Sequence, residues 1–178
     1  GVLTMKYLMP LILTASLGSF HTPALASEKP VRLQLAANVS QDELQTNKTQ
    51  AMQFYRVIFN EKNFDKFSDF FTTNVVDHDP MSGDIVGIDK VKASLKAFVD
   101  GFPDLKVEIL RTAAEGDLVF VHIRMTGTNT APMMGMAATG KKMDFTQVDI
   151  IRFNQGKCSE HWMEANFMTL MQQMGMGH

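Results

Sequence analysis

The chain has 178 residues, a formal net charge of −2, 45% hydrophobic and 20% charged residues. That is enough for one sizeable core, and without a basic block or an aromatic-interleaved Lys/Arg run, nucleic acid is not an expected partner. A single Cys excludes an internal disulfide and a cysteine-based metal site, while 14 Met suit either an adaptable apolar pocket or plain core filling.

Residues 5–26 have the pattern of a secretory signal peptide. Met5-Lys6 supplies a positive start, Leu8 to Leu17 an apolar run, and Ala24-Leu25-Ala26 a small-x-small cleavage site. The run contains Pro10 and is too short to span a bilayer. The expectation is export to a bacterial periplasm or beyond, with no membrane association once the leader is gone. Residues 27–39 read as a lead-in tether, and residues 40–175 as the domain.

Ser40-Gln41-Asp42-Glu43 is a capping box. It opens a helix to about Asn60, with Leu44, Ala51, Tyr55, Ile58 and Phe59 at helical spacing. Asn63 caps a second, short helix through Phe71 that turns Phe64, Phe67, Phe70 and Phe71 inward. Thr72 to Pro80 is extended. Within it, Asp77-His78-Asp79-Pro80 reads either as a metal or acid/base constellation or as a surface turn with self-capping Asp side chains. Alternation lets His78 share a direction with only one carboxylate. Gly83 and Gly87 bracket a loop, and helix three runs from Ile88 to about Phe102, where Pro103 stops it.

From Leu105 the period becomes two. Leu105 to Leu110 and Leu118 to Thr128 are strands about a Glu115-Gly116-Asp117 turn, with Val119, Val121, Ile123 and Met125 on one face and Phe120, His122 and Arg124 on the other. Asn129 to Lys142 is a loop carrying Met133, Met134 and Met136; so apolar a loop either lids a pocket or packs on a second subunit. A hairpin follows, Met143–Phe153 and Lys157–Ala165 about Asn154-Gln155-Gly156. A three-residue loop with Gly last implies a type I turn with a bulge. That register sets Asp149 opposite His161, Gln147 opposite Met163 and Phe153 opposite Lys157; a two-residue turn would instead set Asp149 opposite Trp162 and dissolve the acid–His pair. A short helix, about Phe167 to Met174, closes the chain. Helices before an antiparallel meander mean α+β: a curved sheet wrapped around three helices as a cone, with a pocket inside.

Several segments together resemble the SnoaL-like polyketide cyclases of the NTF2-like superfamily. They are His78-Asp79-Pro80, Gly101-Phe102-Pro103-Asp104-Leu105, Glu115-Gly116-Asp117, Thr139-Gly140-Lys141, Glu160-His161-Trp162 and Leu170 to Gly175. The resemblance implies the cone fold and an intramolecular aldol ring closure with no cofactor and no metal, begun by a pocket carboxylate that removes a proton next to a carbonyl. The family's acid directly follows the Trp; that position here is Met163. Asp149 lies where family members carry a pocket His.

Two functions therefore stand open. In one, Asp149 and His161 are a relocated acid/base pair acting on a small apolar substrate. Phe145, Met163 and Met134 desolvate the acid, and Gln147, Tyr55 or His122 stabilises an enolate oxygen; His78 and Asp79 are further candidates for the cavity wall. In the other, the pair is a structural clasp and the protein only holds a small hydrophobic molecule. An epoxide hydrolase of this fold would need Asp–Arg–Asp about a water, and parity turns Arg152 away from Asp149. On the outer face Glu160 and Glu164 are either solvated or at a dimer seam, and Trp162 is a candidate for subunit packing in a homodimer.

Overall fold

The computed structural model describes residues 37–80, 82–132 and 137–175. The leader, most of the tether and Met133 to Met136 lie outside them. The first described residue is already tied down: Ala37 N–H donates to Asp117 Oδ1 at 2.9 Å, and Asp117 N–H returns to Ala37 O at 3.1 Å.

The order is α1 (Gln41–Phe54), α2 (Phe67–Phe70), β1 (Phe71–Asp79), β2 (Gly83–Val86), α3 (Ile88–Gly101), β3 (Lys106–Glu115), β4 (Leu118–Thr128), β5 (Lys142–Asn154), β6 (Lys157–Ala165) and α4 (Phe167–Met174). The Ser40 hydroxyl caps α1 by accepting from Glu43 N–H. The regular helix ends at Phe54, and Tyr55–Asn60 continue it as a π-helical turn. That wider winding directs Tyr55, Ile58 and Phe59 inward together, all at 3% exposure or less. π turns of this kind recur at functional sites.

The six strands form one sheet in the order β2-β1-β6-β5-β4-β3. The β3–β6 meander is antiparallel as expected. β1 joins it in parallel beside β6, with β2 antiparallel at the far edge. β2 occupies the segment expected to be a loop. It is a four-residue edge strand, mostly exposed and without an alternating apolar face, so periodicity gives no sign of it. The inner face of the sheet carries Val119, Val121, Ile123 and Met125 from β4 and Phe145, Ile151 and Phe153 from β5, all buried. The helices cover this curved α+β sheet as in a cone. The phenylalanines of α1, α2 and β1 pack against one another beneath it: Phe67 stacks on Phe71 at 4.4 Å, and Phe54 meets Phe70 and Phe71 edge-on.

Candidate active site

The hairpin register differs from the expected one. Asn154 pairs with Lys157, so the loop is only Gln155-Gly156, with φ of 52° and 75°. Two positive φ values make a type I′ turn, whose twist matches the strands. A two-residue turn alone would set Asp149 opposite Trp162 and turn His161 outward. One extra residue in β6 prevents this. Phe153 pairs with Cys158 but Arg152 with Glu160, leaving Ser159 as a β-bulge whose hydroxyl donates to Arg152 O. Beyond the bulge Asp149 faces Met163, Gln147 faces Ala165 and Ile151 faces His161. Asp149 and His161 are diagonal rather than opposite, on one face, with Nε2 3.6 Å from Asp149 Oδ1.

β1 supplies the residue that the sequence did not single out for this place. The parallel pairing sets Asp77 directly beside His161, and the imidazole Nδ1 lies 2.7 Å from Asp77 Oδ1. Within Asp77-His78-Asp79 the two carboxylates share the inner face, and His78 points out. His78 is thus not in the cavity. Its nitrogens engage Asp84 at 2.8 Å and Glu160 at 3.0 Å, and its ring stacks on Trp162. His122 is also outside the cavity; it sits on the outer face of β4, where Arg111 donates to its Nδ1. Met134 falls outside the described residues.

The inner groups surround a cavity of about 230 Å³ between the sheet and α1, α3 and α4. Phe54, Phe98, Phe145 and Phe167 are among its apolar walls, and Met163, Gln147 and Asp79 also line it. No Lys or Arg does so among the described residues. Arg124 pairs with Asp144 on the outside, and Arg152 lies against Glu160 and over Trp162. An Asp–Arg–Asp arrangement is therefore absent from this wall among the described residues.

Asp149 is the centre of the polar end. It is 2% exposed. The Tyr55 hydroxyl donates to Oδ2 at 2.5 Å, and the Gln147 amide donates to Oδ1 at 2.7 Å. A carboxylate offers about four acceptor positions, so these bonds leave room for one more partner. Burial and the Asp149 charge both push the Tyr55 hydroxyl well above its ordinary pKa, which keeps it a donor. For His161, burial disfavours the cation, but the neighbouring carboxylates of Asp149, ion-paired with it, and Asp77, hydrogen-bonded to it, outweigh this and raise the ring to about 10. At neutral pH the row Asp77, His161, Asp149 holds an imidazolium between acids. Cys158 also lines the cavity, its thiol pushed far up, above all by burial, so it is no nucleophile.

Comparison with known proteins agrees with this architecture. The SnoaL-like polyketide cyclase family model matches residues 49–174. The chain belongs to the SnoaL-like polyketide cyclase family. It is similar to a putative SnoaL-like polyketide cyclase from a Jannaschia species (TM-score 0.71, 19% identity, covering 78% of this chain and 97% of that one). A putative polyketide cyclase from Bacillus cereus is 27% identical, with a TM-score of 0.65 over 79% of this chain and 87% of that one. AclR, a putative hydroxylase from Streptomyces galilaeus, is 25% identical, with a TM-score of 0.64 over 74% and 97%. No curated protein matches the chain. The fold is the NTF2-like cone implied by the sequence resemblance. Met163 stands where that resemblance places the family's acid, and Asp149 is its direct cross-strand partner. Cross-strand neighbours project side by side into the same space. The carboxylate is thus on the adjoining strand of the same rung.

Proposed function

We propose that the protein is a cofactor-independent cyclase or isomerase that removes a proton next to a carbonyl of a small, apolar, uncharged substrate, with Asp149 as the base. One observation carries this reading: a buried carboxylate, fixed by Tyr55 and Gln147 and retaining an acceptor position, at the polar end of an otherwise apolar cavity. The Asp149 carboxylate takes the proton, the C–H electron pair becomes a carbon–carbon double bond, and the carbonyl oxygen gains the charge. The enolate then attacks a second carbonyl or is reprotonated elsewhere. Lack of Lys and Arg among the described wall residues disfavours acidic substrates, and the volume, below the roughly 300–1,000 Å³ of drug-sized pockets, favours a compact one.

The test is deuterium uptake at the α-carbon of neutral ketones (acetophenone, 1-indanone, 2-tetralone) in heavy water. Wild-type protein should accelerate it, and Asp149→Asn should lower the rate by roughly 10²–10⁴, the usual share of a positioned base. Equal rates in both proteins would overturn the role of Asp149. The second reading, a binding protein without chemistry, is favoured by the two hydrogen bonds that already brace Asp149. It expects an apolar ligand to co-purify, to be seen by native mass spectrometry, and to remain in Asp149→Asn.

A further inference from the structure

The two sides of His161 are not alike. Nδ1 is 2.7 Å from Asp77 Oδ1, the length of a charge-assisted hydrogen bond. Nε2 is 3.6 Å from Asp149 Oδ1, too far for one. No hydrogen bond among the described residues reaches Nε2. Nε2 therefore holds Asp149 only as a loose ion pair at the edge of the cavity, close enough for a ligand oxygen to take up its proton instead. An acceptor and a loosely paired donor lie 3.6 Å apart at the end of an apolar chamber.

We propose that Asp77 is a positioning residue that makes His161 the site's electrophile, holding Nδ1–H so that Nε2–H points at the substrate's carbonyl oxygen while Asp149 takes the neighbouring proton. This rests on the proton-abstraction reading and assigns the other half of the reaction. Asp149 removes the proton from carbon, the electron pair shifts through the new double bond to oxygen, and the oxygen accepts a hydrogen bond, or the proton itself, from Nε2. When the proton passes, His161 is left neutral with Nδ1–H still bonded to Asp77. As the carbonyl re-forms, the enol hydroxyl returns its proton to Nε2, and Asp149 gives its own proton to the new carbon position or to the aldol oxygen, so the cycle closes without an outside reagent.

The backbone explains why Asp77 can do this. Asp77 and His161 are Cα partners in the parallel β1–β6 pair, so the carboxylate approaches from a fixed direction and the ring is fixed in its plane. Asp77 is itself only 6% exposed. The groups facing the imidazole come from three elements: Asp77 on β1, Asp149 on β5, and Tyr55 after α1 through its bond to Asp149. No Lys or Arg of the described wall competes for either acid. Asp79, next along the inner face of β1, takes up its own turn by accepting from Ser82 N–H and Oγ. Asp77 is thus the carboxylate of β1 that the structure gives to His161. The pairing selects a ligand with one acceptor oxygen and an acidic C–H beside it, an enolisable ketone or aldehyde, over an alcohol or an anion.

The ring nitrogens can be read directly by long-range ¹⁵N–¹H spectra of His161 at pH 8, with no ligand present. Wild-type protein should show both nitrogens protonated. Asp77→Asn should show one proton lost at that pH, and Asp77→Glu should restore the doubly protonated ring. With the ketone probes, Asp77→Asn should lower kcat at least tenfold with KM within about twofold, and Asp77→Glu should recover part of it. A His161 that is neutral in wild-type protein at pH 8, or a spectrum unchanged by Asp77→Asn, overturns the assignment. Because the spectrum needs no substrate, a wild-type protein that exchanges no ketone proton sinks the proton-abstraction reading separately.

Discussion

Two adjacent rungs of the β1–β6 pair carry the same chemical pattern on opposite faces of the sheet. Inside, Asp77 and Asp149 flank His161; outside, Asp84 and Glu160 flank His78. The outer imidazole is the better bonded, with both nitrogens within 3.0 Å of a carboxylate. It also stacks on Trp162 at 5.0 Å. By hydrogen bonding alone the outer cluster would be the site. Surroundings decide otherwise. His78 has both nitrogens hydrogen-bonded and opens toward solvent, whereas His161 has one donor only loosely paired with Asp149 and lines an apolar cavity. Saturation makes a clasp, and an unfilled position beside a buried acid makes a reactive group. The comparison can be broken or sharpened by removing parts of each row.

The largest effect should follow His161→Gln. It strips the cation from between two buried carboxylates, and breaking a buried pair from one side costs about 3–5 kcal/mol. Urea denaturation should show that loss near pH 6. The gap should also depend on pH in one direction. The folded ring titrates near 10 against 6.5 when unperturbed. Its charged form is therefore bound more tightly in the folded state, the contribution is complete below about pH 6.5, and it fades as pH rises to about 10. Wild-type and His161→Gln stabilities should converge across that window. A gap that is constant from pH 6 to 10 would mean that His161 is not a buried cation.

What the sequence disclosed follows from which interactions are local. Alternation in β4 and β5 fixed the inner and outer faces, and the capping box fixed the start of α1; both involve neighbours in the chain. The facing of Asp149 and His161 was legible, but for a different reason from the one the turn suggested. A two-residue turn and the Ser159 bulge each shift parity by one and cancel. Gln155 is what concealed the turn, because φ of 52° is unusual for Gln and an Asn there would have announced it. The role of Asp77 was not legible. It arises from parallel pairing between residues 84 positions apart, and no local pattern reports such a register. His78 was the more conspicuous residue of the segment and belongs to the other face. The family's acid position drew notice to Met163, and its vacancy has meaning only once Asp149 is seen across the same rung.

An intermediate effect is expected from Tyr55→Phe. It removes one donor to Asp149 and nothing else, since the ring remains between Phe54 and Phe59. A hydrogen bond to a charged group contributes about 1.5–3 kcal/mol, so the urea midpoint should fall by an amount in that range. The same change frees an acceptor position on Oδ2. If the hydroxyl only braces Asp149, ketone exchange should fall modestly. If Tyr55 shares the oxyanion with His161, exchange should fall as far as in Asp77→Asn. Unchanged stability would show that the carboxylate does not depend on this bond.

The smallest effect should come from His78→Gln, and that smallness is the strongest claim of the comparison. The His78 ring is raised as well: burial is the largest single influence and pulls it down, but the hydrogen-bonded Glu160 and Asp84 together lift it further than that. Its stabilising share is likewise present below about pH 6.5 and lost above it. Yet its side chain is 28% exposed and that of its Asp84 partner 63%. Water and salt screen such a pair, and measured values for surface pairs are about 0–1 kcal/mol. The Gln amide can keep a bond to Glu160, and the Trp162 ring keeps the Arg152 guanidinium over its face. Urea denaturation should therefore place His78→Gln within about 1 kcal/mol of wild type, and ketone exchange should be unaffected. A loss comparable to that of His161→Gln would show that the outer row, and not the inner one, holds β1 against β6. The loosely paired Nε2 of His161 would then have to be explained without the stability that its flanking acids are taken to supply.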